Sequence, residues 1–473
     1  MNDRDDGDDL FGAAPAEWAG EAAARPARED ARRPARRASA KAEEAAHGEH
    51  AGSEPPPDLF GFVTPAPAAK RSTSVTDDDT GIDAPESVPD GGAAATKSPR
   101  RTAQPASGDS PKRRGKGVLP AVASQETLDL AADLPPTLRL GTSSWSFPGW
   151  RGIVYGDDYS NSRLARDGLT AYGAHPLLRT VSIDRSFYAP LTVADYLRYA
   201  QQVPDHFRFI VKAPALITDA SVRGDRGEPV SANPCFLNAE LAASEFVRPC
   251  LEGLGGKAGV LVFQFPPLPD GMLADSAAFV ERLSVFLAAL PPLPPGPDGP
   301  CYAVEIRDGS LLTPRFVRAL RAAKVRYCVG LHARMPDPLR QAAALALMDG
   351  GEPAGPLIVR WSLHSGFRYE QAKARYEPFD KLVDEDPHTR ETLAELAARY
   401  AIAGQPVLIT TNNKAEGSAP LTCAKLARAI VEAFLRHREG GAQQQGDEPD
   451  GTVHRDEQRD ADPADNASGP PGQ

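Results

Sequence analysis

The sequence predicts an α/β protein with a single folded domain, a (β/α)8 barrel, between a disordered N-terminal arm and a disordered C-terminal tail. Three observations predict this fold. Eight short β-rich runs alternate with segments of helical periodicity. Many of the runs place apolar residues on one parity and polar or small residues on the other. Composition changes sharply on both sides of this central part, so that only the centre of the chain can bury a core.

The eight predicted strands are short runs that are mostly rich in β-branched and aromatic residues. In chain order they are LRLGTS from Leu138, RTVSID from Arg179, FRFIVK from Phe207, GVLVFQF from Gly259, CYAVEI from Cys301, VRYCVG from Val325, LIVRWS from Leu357 and PVLITT from Pro406. Because helical patterns separate them, the strands are expected to be parallel and joined by crossover connections.

The intervening helices carry recognisable start signals. Thr192 followed by Asp195 is a capping box, which predicts a helix through Val203. Thr313-Pro314 and Asp386-Pro387 each place a capping side chain before a proline at the first helical position. Apolar residues then recur at helical spacing, which indicates that each helix covers a sheet with one face.

Alternation within the strands separates a closed barrel from an open, doubly wound sheet. Central strands of an open parallel sheet are covered on both faces and read as continuous apolar runs. Here Glu305 and Arg307 instead alternate with Val304 and Ile306. In a barrel, the apolar parity packs on the helices and the other parity points into the lumen. The pattern therefore favours the barrel, with the open sheet as the alternative.

Both ends of the chain are predicted to be disordered. Residues 1–135 consist mostly of Ala, Pro, Arg, Asp, Glu and Ser, and residues 438–473 are dominated by Gly, Gln, Asp and Pro. Neither segment has enough apolar surface to offset the entropy lost on ordering. The folded barrel domain is therefore predicted to span residues 136–437.

Charge and cysteine usage narrow the class of protein. The net charge is −11 and the charges of the arms are mixed in sign, so no dominant nucleic-acid footprint is visible. The five cysteines form no metal-type pairs, which is typical of reduced thiols in the cytoplasm. No apolar run reaches the roughly 20 residues of a membrane span, and the N-terminus is acidic where a signal peptide would be basic. A cytoplasmic protein without membrane contact is predicted.

The N-terminal arm contains two candidate contact sites for partners. The tetrapeptide DLFG occurs twice, and its pairs Leu10-Phe11 and Leu59-Phe60 can dock into a hydrophobic groove of a partner protein. Chance repetition in a biased arm is the alternative. The basic run SPKRRGKG before the folded domain can touch phosphate, although such runs are more often solvated linkers. A small-molecule substrate is therefore favoured over nucleic acid.

In a (β/α)8 barrel, the last inward-facing residues of the strands meet at the carboxyl-terminal mouth, where active sites are built. This rule predicts a site rich in charges and amides. Its members are Ser143, Trp145, Asp184, Lys212, Gln264, Glu305, Arg307, His332, Arg360, His364, Asn412 and Asn413. Because an isolated buried ion costs several kcal/mol, the charged members are expected to pair with one another.

The residue types at the predicted mouth suggest distinct roles. Lys212, Arg307 and Arg360 outnumber the carboxylates, and together they suit an anionic substrate group such as a carboxylate or phosphate. Glu305 is the first candidate for general acid or base, and Asp184 is the second. The remaining predicted contacts are hydroxyl- or carbonyl-binding amides and aromatic pocket walls, namely Gln264, Asn412 and Asn413 and then Trp145 and Tyr188.

Three alternatives for these residues remain open. The charges can neutralise one another as a purely structural network. Lys212 can form a Schiff base with a carbonyl substrate, since nearby arginines lower its pKa although neighbouring carboxylates raise it. A divalent metal held by Asp184, Glu305, His332 and His364 is the third, but no ligand-spacing motif such as HxH supports it. No metal ligand is therefore assigned, and no cofactor is identified.

Six segments resemble, in this order, the signature motifs of the YecE-like family, the domain of unknown function number 72. They are GTSSWSFPGWRG, SIDRSFYAPLT, FRFIVKAPALITD, VLVFQFPP, YAVEIRDGS and LITTNNKAEGSAP. The resemblance covers nearly the whole folded part and neither arm. It implies a TIM-barrel-like fold, in agreement with the strand pattern, but it names no reaction. The matching residues are Gly141, Trp145, Trp150, Phe187, Tyr188, Lys212, Gln264, Pro266, Glu305, Arg307, Asn412 and Asn413.

The chain departs from the motifs of that family at four positions. Ser182 and Asp184 stand where the family usually has Glu and Asn, and Asp219 and Asp308 stand where it usually has His. If those histidines transfer protons in other members, this chain uses a shifted chemistry or has lost it.

Three functions follow from the sequence, in order of preference. The first is an enzyme that acts on a small anionic or carbohydrate-like substrate by acid–base chemistry, with hydrolase, lyase and isomerase undistinguished. The second is a nucleic-acid-processing or repair-associated factor that reaches its partners through the arm. The third is a barrel that binds a ligand without turnover.

Overall fold

The computed structural model describes residues 117–224 and 227–446. It contains every strand that the sequence predicts, together with a hairpin that the sequence does not predict. The strands are β1 (Leu138–Thr142), β2 (Leu178–Ile183), β3 (Arg208–Lys212), β4 (Ser221–Arg223), β5 (Pro229–Ala232), β6 (Ala258–Gln264), β7 (Cys301–Glu305), β8 (Arg326–Leu331), β9 (Leu357–Trp361) and β10 (Val407–Thr411).

Eight of these strands close into a parallel barrel. The order around the barrel is β1, β2, β3, β6, β7, β8, β9, β10 and back to β1. All neighbouring pairs are parallel, and the closing pair sets Leu138 beside Val407 and Thr142 beside Thr411. The predicted (β/α)8 fold is confirmed. The hairpin of β4 and β5 is antiparallel and lies in the loop that follows β3.

Helices separate the barrel strands and supply the outer layer. In the described residues they are α1 (Gln125–Asp133), α2 (Asn161–Asp167), α3 (Leu169–Gly173), α4 (Val193–Ala200), α5 (Ala215–Thr218), α6 (Ala239–Ala242), α7 (Arg248–Leu254), α8 (Asp270–Ala274), α9 (Ser276–Ala288), α10 (Pro314–Ala322), α11 (Pro338–Asp349), α12 (Tyr369–Tyr376), α13 (Pro387–Ile402), α14 (Asn413–Glu416) and α15 (Ala419–Gly446). The long, apolar helix that a bilayer crossing requires does not occur among them.

The predicted helix starts are present in the structure. Thr192 accepts a hydrogen bond from the Asp195 backbone N–H, and the Asp195 carboxylate accepts one from Thr192, so the capping box of α4 is complete. Thr313 and Asp386 cap α10 and α13 in the expected way. Helix α4 ends at Ala200 and not at Val203, because a residue that precedes a proline disfavours the helical conformation.

Ordered structure begins before the predicted domain boundary at residue 136. Helix α1 lies inside the segment 1–135, and Ser124 caps it by accepting a hydrogen bond from Thr127 N at 3.2 Å. Arg179 of β2 donates to the carbonyl oxygen of Ala131 at 2.6 Å and thereby ties the helix to the barrel. The polar composition of the long arm masks this one short amphipathic segment. The boundary prediction is therefore too late by at least the length of α1.

The C-terminal boundary also differs from the prediction. Helix α15 continues to Gly446, past the predicted end of the domain at residue 437, and one compact unit of the chain ends at Ala433 within that helix. Residues 1–116 and 447–473 lie outside the described residues. The two Leu-Phe pairs and nearly all of the basic run fall there, so their predicted roles stay predictions.

The lumen of the barrel is a packed core with polar groups at its two ends. At the amino-terminal end, Arg139 and Arg208 both contact Asp298, at 2.6 and 3.1 Å. The middle level consists of small and branched apolar side chains, namely Ile210, Val260, Val262, Ala303, Cys328, Ile358 and Leu408. At this level the described lumen residues are therefore apolar, and the charged side chains lie at the two ends of the barrel.

The outward parity of the strands packs against the helices. Phe263 of β6, for example, lies edge-on to Phe286 of α9 at 5.2 Å and to Phe246 at 5.7 Å between ring centroids. All five cysteines of the chain carry free thiols. Hydrophobic packing and backbone pairing, without disulfides, therefore hold the polar end of the barrel in place.

Candidate functional site

Glu305 ends β7 inside the mouth, where two arginines share its carboxylate. Its side chain is 0% exposed. Arg307 Nη2 lies 2.7 Å from Glu305 Oε1, and Arg360 Nη1 of β9 donates a hydrogen bond to Oε2 at 2.6 Å. A buried carboxylate requires such partners, because burial without them costs several kcal/mol. This pairing accounts for the opposite charges that the sequence places two positions apart, at the last residue of β7 and just after it.

Gly330 of β8 leaves the space that Glu305 occupies. A Cβ atom at this glycine would lie 3.2 Å from Glu305 Cγ. Burial by itself raises the pKa of Glu305, but Arg307 and Arg360 outweigh burial and hold that pKa below its usual value. Glu305 is therefore a carboxylate at neutral pH and orients both guanidinium groups.

Asp184 extends the ionic cluster toward solvent. Arg360 Nη2 donates to both of its carboxylate oxygens at 2.9 Å, and Ser182 donates to Oδ1 at 2.7 Å. The side chain of Asp184 is 30% exposed, whereas that of Arg360 is 3% exposed. Arg360 thus joins a fully buried carboxylate to a half-buried one at the opening of the barrel.

Lys212 is the last residue of β3 and the third cation of the cluster. Its Nζ lies 3.5 Å from the centroid of the Phe187 ring. Burial lowers the pKa of Lys212 to about 7; Asp184 opposes this effect, whereas Arg360 adds to it. At neutral pH this amine is therefore present in both its charged and its neutral form.

Several buried polar atoms of the cluster have no hydrogen-bond partner in the described part of the chain. They include Arg307 Nη1, Arg360 Nε and His332 Nδ1. Glu305 Oε1 belongs to the same group, because its contact with Arg307 is an ion pair without the angle of a hydrogen bond. Burial, together with the charges of Arg307 and Arg334, lowers the pKa of His332 to about 3, so its imidazole is neutral at pH 7. The mouth therefore holds buried donors, Arg307 Nη1 and Arg360 Nε, for which the described residues supply no acceptor.

Comparison of the sequence with models of protein families finds a match to most of the folded part. A family model described as a protein of unknown function, DUF72, matches residues 139–445. The chain belongs to the DUF72 family. The match agrees with the YecE-like motifs in the sequence and spans all eight barrel strands except the first residue of β1.

Comparison with solved structures also finds DUF72 proteins, at TM-scores below 0.5. A DUF72 protein from Thermotoga maritima is 19% identical, with 62% of this chain and 99% of that chain covered and a TM-score of 0.42. One from Enterococcus faecalis is 17% identical, with 62% and 95% covered and a TM-score of 0.41. A monooxygenase from Streptomyces bottropensis is 12% identical, with 63% and 99% covered and a TM-score of 0.34. No functionally curated protein matches the chain.

Two further predicted residues of the DUF72 domain lie beside the ionic cluster. Gln264 is 2% exposed and pairs in strand register with Glu305. The ring of Tyr188 is half-buried and lies 5.6 Å from that of Phe187, which covers Lys212. Both residues therefore lie near the ionic cluster at the mouth. Their roles in binding stay predictions.

Three other predicted residues of the DUF72 domain make contacts that stabilise the fold. Trp145 donates from Nε1 to the carbonyl oxygen of Leu164 at 3.1 Å. Asn412 caps α14, and Asn413 accepts hydrogen bonds from Trp150 Nε1 and Ala419 N at 3.2 and 2.9 Å. These contacts hold the loops around the mouth. A direct role of the three residues in substrate binding stays a prediction without support from their contacts.

The aspartates that replace the family's histidines also hold loops. Asp219 accepts from Arg223 Nε at 2.8 Å at the base of the β4–β5 hairpin, and Asp308 accepts from Leu268 N at 2.9 Å. His364, another candidate, contacts the carbonyl oxygen of Ser365 at 2.7 Å. Across the described ranges, no group of three His, Cys, Asp or Glu side chains is arranged to hold a metal ion.

Sequence reasoning missed one buried cation near the mouth of the DUF72 barrel. Lys414 is 2% exposed, and its Nζ lies 4.1 Å from the ring of Tyr369 in the loop segment after β9. The signal was its place directly after Asn413, inside the motif LITTNNKAEGSAP, where Glu416 is the one other charged residue. The loop after β9 is thus attached to the rim through a cation–π contact.

Proposed function

We propose that this DUF72 barrel is an enzyme that binds a small anionic substrate at its carboxyl-terminal mouth and transfers a proton there. The observation that carries the proposal is the pair of buried donors, Arg307 Nη1 and Arg360 Nε, which lack a partner in the described residues. Buried donors in proteins are nearly always paired. Unpaired arginine donors in a cluster of three cations and two carboxylates favour an anionic ligand.

The contacts suggest which residue does which task. Arg307 and Arg360 hold the anion, and Glu305 orients them. Lys212 transfers the proton, because a pKa of about 7 suits a general acid or base at neutral pH. Asp184 assists at the exposed side of the cluster. This ordering differs from the sequence-based one, in which Glu305 came first, because both carboxylate oxygens of Glu305 face arginines.

Ligand-dependent melting tests the anion site. Inorganic phosphate, pyruvate and ribose 5-phosphate are expected to raise the melting temperature of the full chain, whereas ribose without phosphate is not. A ligand at 100 times its Kd adds about 2.7 kcal/mol of stability, which corresponds to several degrees. Arg307→Gln is expected to abolish the rise measured from the variant's own baseline.

The matched control for that experiment is Arg315→Gln, which removes the same charge from an exposed residue of α10. It is expected to keep the ligand-induced rise. If the ligand-induced rise in melting temperature were lost equally in Arg307→Gln and Arg315→Gln, the ligand would be binding nonspecifically. A rise with oligonucleotides alone would instead favour the nucleic-acid alternative.

Catalysis is tested separately from binding. Product formation and solvent deuterium uptake in the same small molecules can be followed by proton NMR. Uptake that disappears in Lys212→Met supports proton transfer by Lys212. Binding without product or deuterium uptake for any compound that binds would favour a ligand-binding barrel and contradict the enzyme.

A further inference from the structure

Lys212 is placed and surrounded like a reactive amine and unlike a surface lysine. It follows Val211 at the end of β3, two positions after the lumen residue Ile210, so its stem rises from the apolar middle level of the barrel. Ser186 donates a hydrogen bond to the Lys212 carbonyl oxygen at 2.6 Å, which fixes the backbone. The residue is 7% exposed, so the amine sits at the boundary between core and mouth.

The surroundings of the amine include an aromatic ring and two charged groups. Phe187 contributes a ring face at 3.5 Å from Nζ. Asp184 and Arg360 act on the amine electrostatically and are joined to each other by a hydrogen bond at 2.9 Å. An amine between an apolar wall, a carboxylate and a guanidinium has the surroundings that imine formation needs: water is restricted, a proton carrier is close, and an anionic tail can be held.

We propose that Lys212 forms an imine with a small aldehyde or ketone that also carries a carboxylate or phosphate. This inference rests on the proposed anion site and names its substrate class; for such a carbonyl substrate, covalent attack by Lys212 replaces the proton transfer proposed above for its amine, and Asp184 carries the proton. The neutral Nζ attacks the carbonyl carbon, and a carbinolamine forms when the nitrogen loses one proton and the former carbonyl oxygen gains one. The hydroxyl group then leaves as water after a second protonation, and the nitrogen–carbon double bond forms. The net step joins amine and carbonyl and releases one water, without oxidant or reductant.

The anionic tail and the amine would act together. Arg307 holds a buried Nη1 without partner in the described residues, and Arg360 likewise holds Nε. These donors would bind the carboxylate or phosphate, while Asp184 exchanges protons with the carbinolamine. Burial, the main cause of the lowered pKa of Lys212, keeps a substantial share of the amine unprotonated at neutral pH.

Reductive trapping of the full chain tests the proposal. The protein is incubated at pH 7 with pyruvate or with dihydroxyacetone phosphate, treated with sodium cyanoborohydride, and mapped by peptide mass spectrometry. At pH 7 a lysine of ordinary pKa is neutral in roughly 1 of 2,500 copies, against about half for Lys212, so the adduct on Lys212 is expected to exceed that on each exposed lysine by roughly 1,000-fold. The two probes show whether a carboxylate or a phosphate is preferred, and acetone serves as the uncharged probe.

Control variants and pH separate this proposal from the anion site. Lys212→Arg keeps the charge and should lose the adduct, whereas Lys425→Arg should retain it. Trapping should increase as pH rises through about 7, the pKa of Lys212.

If pyruvate or dihydroxyacetone phosphate raises the melting temperature but the adduct is absent from Lys212, the imine is wrong and the anion site stands. Adducts spread evenly over the lysines also overturn the imine. If neither a melting shift nor an adduct is seen, both proposals fail.

Discussion

Glu305→Gln is expected to lower the free energy of unfolding by about 3–5 kcal/mol. The amide keeps the size of the side chain but removes the charge that lies 2.7 Å from Arg307 and 2.6 Å from Arg360. Arg307 then loses its ion-pair partner inside the lumen, whereas Arg360 retains Asp184. Removing one partner of a buried ion pair is far more costly than the net contribution of the pair, because an uncompensated charge remains in the core.

Urea denaturation at pH 7, followed by circular dichroism, measures this loss. The matched control is Glu281→Gln, which makes the same substitution in an exposed pair, where Glu281 and Arg315 are 72% and 56% exposed. The control is expected to change stability by less than about 1 kcal/mol. If Glu305→Gln lowered the free energy of unfolding no more than the control does, burial of the two arginines would not depend on the Glu305 carboxylate.

The barrel could be predicted from the sequence because its signals are local and repeated. Each strand carries its own apolar parity, and each crossover begins at a cap such as Thr192 or Thr313. Parallel strands with short connections are compatible with few topologies. The alternation of polar and apolar residues along the strands favours the closed barrel over the open sheet among them. Helix α1 was not predicted from the sequence. A nine-residue segment is marginally stable as an isolated helix and depends on tertiary contacts such as the hydrogen bond from Arg179 to Ala131.

The composition of the mouth was predictable, but its pairing was not. Topology alone places the ends of β3, β7 and β9 at one opening, and so brings Lys212, Glu305 and Arg360 together. Which carboxylate each arginine contacts depends on rotamers and on space, such as the room left at Gly330, and sequence pattern contains neither. The hydrogen bond from Trp150 Nε1 to the amide oxygen of Asn413 was equally unpredictable. The two residues are 263 positions apart, and a contact at that separation leaves no periodic signal in the sequence.

Gly141→Ala is expected to cost about 3 kcal/mol or more in unfolding free energy, close to the effect of removing the Glu305 charge. A Cβ at this position of β1 would lie 1.8 Å from the carbonyl oxygen of Thr180 in β2. That oxygen is fixed, because it accepts a hydrogen bond from the Tyr172 hydroxyl at 3.0 Å. The register between β1 and β2 shifts at this glycine, so the added methyl must push two barrel strands apart.

Gly256→Ala is the matched control, since beyond its chain neighbours no described residue has an atom within 4 Å of the Cβ it would add, and its φ is not in the left-handed region. There the substitution is expected to be neutral or to stabilise by up to about 1 kcal/mol, because alanine restricts the unfolded chain. Both free energies of unfolding are measured by urea titration. A decrease for Gly141→Ala together with no change or an increase for Gly256→Ala would show that the destabilisation arises from the contact between β1 and β2. If Gly141→Ala were as well tolerated as Gly256→Ala, the strands would have room to separate. The close approach would then not be what holds the first strand in the closed barrel.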